Sequence, residues 1–161
     1  MKYQIYLKMI KKFFSFIFNR PMKLQVGCIC YKKEKKKLKI LIITSRNSKR
    51  WIIPKGWIKK NLGSIRSAEA EAWEEAGVKG KCYKNTIGFY TYQKIGKNGK
   101  GRRCTVKVFA LKVREQLNDF PEKNFRTLRW ITPEKSHKFI ENKELVQVLE
   151  NFSKMKSKAS K

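Results

Sequence analysis

The sequence predicts an α/β fold in which a mixed β-sheet lies between helical layers. Three observations support it: several segments that alternate apolar and polar residues, a helical segment in the middle of the chain, and an amphipathic segment near its end. A length of 161 residues is typical of one domain. We expect residues 22–155 to form that domain, after a dispensable basic and apolar segment (1–21) and before a basic tail (156–161).

The first half of the chain contains three predicted strands. Residues Lys23 to Tyr31 alternate, and Leu38 to Thr44 form an almost continuous apolar run with many β-branched residues. The charged residues 32–37 between them are typical of a hairpin tip. Trp51 to Ile53 form a short strand that Pro54 ends, because proline cannot donate to a sheet.

A helix follows, and we expect it to begin near Ser64 or Ser67, either of which is a candidate N-cap. It is predicted to end at Ala76, with Gly77 in the left-handed position that terminates many helices. Small apolar residues on one face would let this helix lie close to a sheet; they are Ile65, Ala68, Ala72 and Ala76.

The second half predicts a long hairpin and a terminal helix. Lys81 to Gln93 and Arg103 to Val113 alternate on either side of a turn at Gly96 to Gly101. Thr127 to Ile131 is a further strand. Residues Asn142 to Met155 place apolar side chains on one face of a helix, which we expect to cover the sheet.

The charge of the chain favours polyanionic partners. Forty basic and twelve acidic side chains give a net charge of +28, which suits phosphorylated metabolites, nucleic acid or an anionic membrane. Lysine-rich solvated surfaces also arise from coding bias alone, so the net charge does not identify the partner. The apolar run Phe13 to Phe18 is too short to cross a bilayer, and we predict no transmembrane span.

Cysteine and histidine usage excludes several kinds of site. The four cysteines form no CxxC pair, and His137 is the one histidine of the chain. Zinc binding and Cys–His or Ser–His–Asp catalysis are therefore not expected. Cys28 and Cys30 lie two apart on a predicted strand, where they share one face as small hydrophobes. This usage fits a reducing compartment, and we expect a cytoplasmic protein.

Four of the twelve acidic residues cluster on the central helix. At about 100° per residue, Glu71, Glu74 and Glu75 share one arc, whereas Glu69 points elsewhere. Like charges at these spacings repel, and no lysine is interleaved among them. A cation is therefore expected at this face. Oxygen ligands favour Mg²⁺, with Mn²⁺ as the alternative, whereas the plain alternative is a solvated acidic patch.

The segment Trp51 to Val78, WIIPKGWIKKNLGSIRSAEAEAWEEAGV, resembles the Nudix box, G-x5-E-x7-R-E-U-x-E-E-x-G-U with U aliphatic. Aligned from Gly56, Glu71 falls on the glutamate of the R-E pair, and Glu74 and Glu75 fall on the E-E pair. The segment RWIIPKGW is most similar to the branch of diphosphoinositol polyphosphate phosphohydrolases and their bacterial relatives. That branch also hydrolyses diadenosine polyphosphates, so the resemblance implies a Nudix α/β/α sandwich and a pyrophosphohydrolase.

Two positions depart from the box. Leu62 stands where the first glutamate is expected, and Ala70 stands where the arginine is expected. The family arginine typically holds a box glutamate in position. Arg66, one turn earlier on the helix, is a candidate replacement.

The resemblance also implies roles for individual residues. Glu71 and Glu75 would ligate Mg²⁺, together with the carbonyl of Lys55, and Glu74 would act as general base at a neutral to alkaline optimum. A polyanionic small molecule is the implied substrate. Its predicted contacts are Thr44, Ser45, Arg46, Arg50, Lys55, Lys100, Arg102 and Arg103.

Two other functions stay open at this stage. One is removal of pyrophosphate from RNA 5′ ends, which the basic surface would suit. The other is a non-catalytic module that binds anions or nucleic acid, which Ala70 and the net charge motivate.

Overall fold

The computed structural model describes residues 23–95, 99 and 101–159. The predicted N-terminal segment (1–21), the candidate substrate residue Lys100, most of the predicted turn 96–101 and the last two residues of the basic tail lie outside this part. Within the described residues, no helix has the length and apolar character needed to cross a membrane.

The described residues form one mixed sheet of seven strands. Strand β1 pairs with β6 in parallel, and the other strand pairs are antiparallel. The predicted mixed sheet is therefore confirmed. The strands are β1 (Lys23–Glu34), β2 (Lys37–Thr44), β3 (Trp51–Ile52), β4 (Lys55–Trp57), β5 (Val78–Ile95), β6 (Gly101–Gln116) and β7 (Leu128–Ile131).

A helix covers each face of this sheet, as the sequence predicted. Helix α1 (Gly63–Ala76) packs its fully buried alanines on a core that includes Cys28, Cys30 and Phe109. The terminal helix α2 (Lys143–Lys158) buries Leu145, Leu149 and Phe152 against the opposite face. Short 3-10 helices at Lys123–Phe125 and Pro133–Lys138 complete the α/β/α sandwich.

Strands β1 and β2 pair only beside their connecting turn and then diverge. Their pairing ends at Tyr31 with Ile40. Beyond it, β1 pairs with β4, and β2 pairs with β3 on the side away from β7. The segment Trp51–Trp57 therefore fills the gap between the diverging strands, where the Cys28 amide donates to the Pro54 carbonyl at 3.0 Å. This gap positions the candidate site.

The predicted cap of α1 is wrong, whereas its predicted end is confirmed. The N-cap position is Leu62, which has no side-chain capping bond, and Ser67 instead donates to the Gly63 carbonyl at 2.6 Å. Its hydroxyl also accepts the Lys59 amide at 2.8 Å, so it holds the preceding loop on the helix. At the other end Gly77 is left-handed (φ 67°) and its amide donates to the Trp73 carbonyl.

Several element ends differ from the predicted ones. The β1–β2 turn consists of Lys35 and Lys36 alone, both at positive φ as in a two-residue hairpin turn. Strand β4 was not predicted. Helix α2 continues to Lys158, so residues 156–158 of the predicted tail are helical, and Lys156 donates to the Tyr31 hydroxyl at 2.7 Å.

Candidate active site

Two glutamates of α1 reach the gap between β1 and β2 from the sheet face that α1 covers. The Glu71 carboxylate lies directly against Gly56, where an added Cβ would overlap its atoms. The Glu75 Oε2 atom accepts the Lys55 amide at 3.0 Å. Only a glycine at position 56 leaves room for this approach. The segment that precedes α1 in the sequence thus folds back over its glutamate face.

Glu75 is the most enclosed of the three predicted glutamates. Its side chain is 8% exposed, and its Oε1 atom pairs with the Arg126 guanidinium. Burial raises the pKa of Glu75 to about 7, although Arg126 and the Lys55 amide oppose this rise.

Glu74 lies further out, with its side chain 37% exposed, and pairs with the Lys59 ammonium. Lys59 also lies 3.9 Å from Glu71. The hydrogen bond to Glu74 raises the pKa of Lys59. Burial and then the charge of Glu74 raise the pKa of Glu71. The charge of the half-buried Lys59 opposes the rise in the pKa of Glu71 without cancelling it.

Glu69 faces away from this group, as predicted. Its carboxylate accepts the Cys82 amide at 2.8 Å, beside an irregularity in the pairing of β5 with β6. It therefore supports the sheet and takes no part in the candidate site.

Sequence reasoning missed the pair formed by Glu122 and Arg126. The Arg126 Nε atom donates to Glu122 at 2.8 Å, and the guanidinium also reaches Glu75. Burial is nearly complete for the Arg126 side chain, at 6% exposure. An opposite-charge pair four residues apart, in a chain with few acidic residues, was the available signal. It gave no indication that the pair packs on α1.

Lys55 begins a line of polar groups on the sheet face that α2 covers. Its ammonium donates to the Tyr92 hydroxyl at 3.1 Å, and this hydroxyl donates to Gln25 at 2.6 Å. Burial lowers the pKa of Lys55. Nearby, the buried Tyr90 hydroxyl has no hydrogen-bond partner within the described residues. The ammonium group of Lys55 gives this lining a positive charge, which suits an anionic ligand.

Of the predicted substrate residues, Thr44 is the last residue of β2, and Ser45, Arg46 and Arg50 lie in the loop that follows it. The Ser45 hydroxyl accepts the Arg50 amide at 3.1 Å, which closes the loop. The buried Thr44 hydroxyl accepts the Thr127 amide at 2.9 Å. Both arginines are more than half exposed and face single carboxylates at 3.4 to 3.9 Å. The loop therefore presents two accessible guanidinium groups, whereas Thr44 is held inside.

The predicted basic residues at the start of β6 lie on opposite faces of the sheet. Arg102 is paired in register with Lys94, whose ammonium lies 5.0 Å from the centre of the Trp57 ring. Arg103 is paired with Gln93 on the other face, because neighbouring residues of a strand alternate. The structure brings Arg102 to the side of Lys55 and Tyr92 and separates Arg103 from it.

The two residues that depart from the box pattern, Leu62 and Ala70, both lie at the start or on the surface of α1. Leu62 is 39% exposed at the start of α1. Ala70 is half-buried, and Arg66 is exposed on the helix. Among the described residues, the guanidinium that contacts Glu75 comes from Arg126, so Arg66 does not take the proposed place.

The donor groups fit a hard divalent cation such as Mg²⁺. All three glutamates offer oxygen atoms, and the raised pKa values of Glu71 and Glu75 indicate carboxylates that an added cation would stabilise. In the described part of the chain, no three His, Cys, Asp or Glu side chains are grouped as a preformed metal cage. Mg²⁺ commonly takes one or two carboxylates and completes its shell with water and phosphate, so such a cage is not required.

Comparisons with known proteins agree with this geometry. The family model for the NUDIX domain matches residues 21–152. Nudix hydrolase 12, mitochondrial, of Arabidopsis thaliana is 28% identical over 151 residues, which cover 84% of this chain and 74% of that protein. Diphosphoinositol polyphosphate phosphohydrolase 3-alpha of Mus musculus is 31% identical over 100 residues, covering 62% and 57%. The crystal structure of C. elegans Ap4A hydrolase has the same fold, with a TM-score of 0.65 at 20% identity and coverages of 83% and 98%.

Proposed function

The chain belongs to the Nudix hydrolase family, and on that premise we propose that it is a Mg²⁺-dependent pyrophosphohydrolase. Its proposed substrate is a nucleoside-diphosphate-linked or highly phosphorylated small molecule, of the diadenosine polyphosphate or diphosphoinositol type. Such molecules are the named substrates of proteins to which this chain is similar. The observation that carries the proposal is the approach of Glu71 and Glu75 to the gap beside Lys55, with Glu74 next to them on the outer side of the same helix.

In this proposal Glu71, Glu75 and the Lys55 carbonyl hold the metal ion. The Lys55 amide already donates to Glu75, so this carbonyl belongs to a backbone segment that lies on the glutamates. A bound divalent ion would polarise the phosphoryl oxygens and neutralise charge that develops on them. Because position 56 is glycine, the backbone at this point can lie directly against the Glu71 carboxylate.

Glu74 is the proposed general base. Its Oε1 atom pairs with Lys59, which leaves Oε2 as the atom that takes a proton from the attacking water. The exposure of its side chain supports this role, because a base has to meet a water molecule. Lys59 orients the carboxylate while Glu75, one residue later, remains enclosed.

We place the substrate phosphates between the loop after β2 and the face that carries Lys55. Arg46 and Arg50 present accessible guanidinium groups, which bind phosphate oxygens in pairs. Arg102 would contact the far end of the substrate. Ser45, Thr44 and Arg103 stay weaker candidates because of their internal bonds or their orientation.

A hydrolysis panel tests the proposal. We expect wild-type protein with Mg²⁺ to hydrolyse diadenosine polyphosphates or diphosphoinositol polyphosphates faster than nucleoside triphosphates, nucleotide sugars or triphosphorylated RNA, and EDTA to abolish turnover. Glu71→Gln should remove activity, whereas Glu69→Gln on the other face of α1 should keep it. Preference for RNA would favour a 5′-end pyrophosphohydrolase. No turnover on any member of the panel would leave the non-catalytic binding module instead.

A cytoplasmic location is part of the same proposal. The four cysteines are buried and free, including Cys28 and Cys82, whose Sγ atoms lie 3.1 Å apart. Buried free thiols fit a reducing compartment. Fractionation of cells that express the full chain would test it.

A further inference from the structure

Position 70 of α1 is where the Nudix box has an arginine, and this chain has Ala70. The loss leaves the carboxylate face of the helix without a cation of its own. Three acidic side chains within five residues of one helix need a positive group near them when they are partly buried. The described structure supplies that group from elsewhere in the chain.

Arg126, in the connection between β6 and β7, contacts three fixed acceptors. Its guanidinium pairs with Glu75 Oε1, lies 2.6 Å from Glu122 Oε2, and donates from Nη1 to the Thr44 carbonyl at 3.0 Å. Charge-assisted bonds of this kind are stronger than neutral ones, and a planar fork makes several at once. Glu75 thus has both oxygens engaged, one by Arg126 and the other by the Lys55 amide.

The backbone around Arg126 is held at both sides. The Thr44 amide donates to the Thr127 carbonyl at 3.0 Å, next in the sequence to Arg126. Before it, the Glu122 amide donates to the Glu74 carbonyl at 3.0 Å, in the last turn of α1. The connection that carries Arg126 is therefore tied to β2 and to α1.

We infer that Arg126 is a positioning residue that fixes the Glu75 carboxylate in its metal-binding orientation, and that the β6–β7 connection thereby supplies a cation to a helix face that has none of its own. The inference rests on the proposed function. This contact differs from the one that an arginine in α1 would make. An arginine at position 70 would face Glu74, four residues later, rather than Glu75.

The test compares Arg126→Met with wild type and with Arg129→Met, a matched control that removes an arginine three residues away. Mn²⁺ affinity is measured by EPR titration without substrate, and kcat and KM are measured with diadenosine tetraphosphate and Mg²⁺. We expect Arg126→Met to weaken Mn²⁺ binding and lower kcat, each by roughly 10–100-fold. KM should change by less than about threefold, because substrate contacts remain. Arg129→Met should match wild type in Mn²⁺ affinity.

Arg126→Lys keeps the charge but not the fork, and we expect a loss between those of wild type and Arg126→Met. It also serves as the test if Arg126→Met does not fold. Wild-type Mn²⁺ affinity in a folded Arg126 variant, with only its melting temperature lowered, would overturn the inference in favour of a structural clasp. Tighter Mn²⁺ binding would overturn it as well, because Arg126 would then compete with the ion. Since the titration needs no turnover, it separates failure of this inference from failure of the proposed function.

Discussion

Glu74 and Glu75 are neighbours in the sequence, yet they differ in exposure and in the residues that pair with them. Glu74 is 37% exposed and pairs with Lys59, which is itself 34% exposed. Glu75 is 8% exposed and pairs with Arg126, which is 6% exposed. The outer pair can exchange partners with water, whereas the inner pair is held by several bonds. The two neighbours thus differ in exposure and in the number of their bonds, and this difference is what their proposed roles as general base and metal ligand require.

The largest expected effects separate the two carboxylates by what each variant loses. Glu74→Gln should lower kcat by roughly 10²–10⁴-fold, the usual contribution of a general base, and leave Mn²⁺ affinity within about threefold of wild type. Glu75→Gln should lower both quantities, because it removes a proposed ligand. Steady-state kinetics and metal titration measure the two effects. Equal metal affinity in both variants would remove the distinction, and wild-type turnover in both would count against the enzyme site itself.

Stability should differ between the two positions as well. Glu75→Ala leaves the Arg126 guanidinium with one carboxylate fewer and the Lys55 amide without its acceptor, so we expect a loss of about 3 kcal/mol. Glu74→Ala breaks only an exposed pair and should cost less than about 1 kcal/mol. Urea unfolding in EDTA measures both. Similar losses at the two positions would mean that the outer pair is as fixed as the inner one.

The pH dependence of metal binding should follow the inner carboxylate. Burial raises the pKa of Glu75 to about 7, so the group is protonated below that pH and has to release a proton to bind a cation. We expect Mn²⁺ affinity to fall by up to about tenfold per pH unit below 7 and to level off above it. Glu75→Gln should flatten this profile between pH 6 and 8. A wild-type profile that is flat over the same range would contradict the assignment.

The smallest expected effect belongs to Lys59→Met. The variant removes an exposed ion pair, so the free energy of unfolding should change by no more than about 0.5 kcal/mol. Urea unfolding at low and high salt checks this, since screening should weaken the pair in wild type only. A loss of 2 kcal/mol or more would show that the Glu74–Lys59 pair is held rigidly.

The sequence predicted what depends on neighbouring residues. Helical period alone placed Glu71, Glu74 and Glu75 together and directed Glu69 away, and the left-handed preference of glycine identified Gly77 as the end of α1. These features need only the backbone geometry of one element. The mixed sheet between two helices also followed from the order of segments.

Features that depend on distant partners were missed or misassigned. Strand β4 has only three residues, which are too few to show an alternating pattern in the sequence. The expected cap at Ser67 failed because its hydroxyl is used by the Lys59 amide, from a loop that the periodicity does not describe. Arg66 was the candidate that position on the helix alone could offer. Only the fold shows that Arg126, 51 residues after Glu75, arrives beside it.

The attachment of the β6–β7 connection to α1 has a consequence for how the chain tolerates changes in length. Leu117 and Glu122 donate backbone bonds to Gly77 and Glu74, and Phe120 packs against Gly77 between them. We expect an insertion between Leu117 and Glu122 to move Arg126 away from Glu75. The β1–β2 turn at Lys35 and Lys36 is exposed, so we expect extra residues there only to lengthen the hairpin.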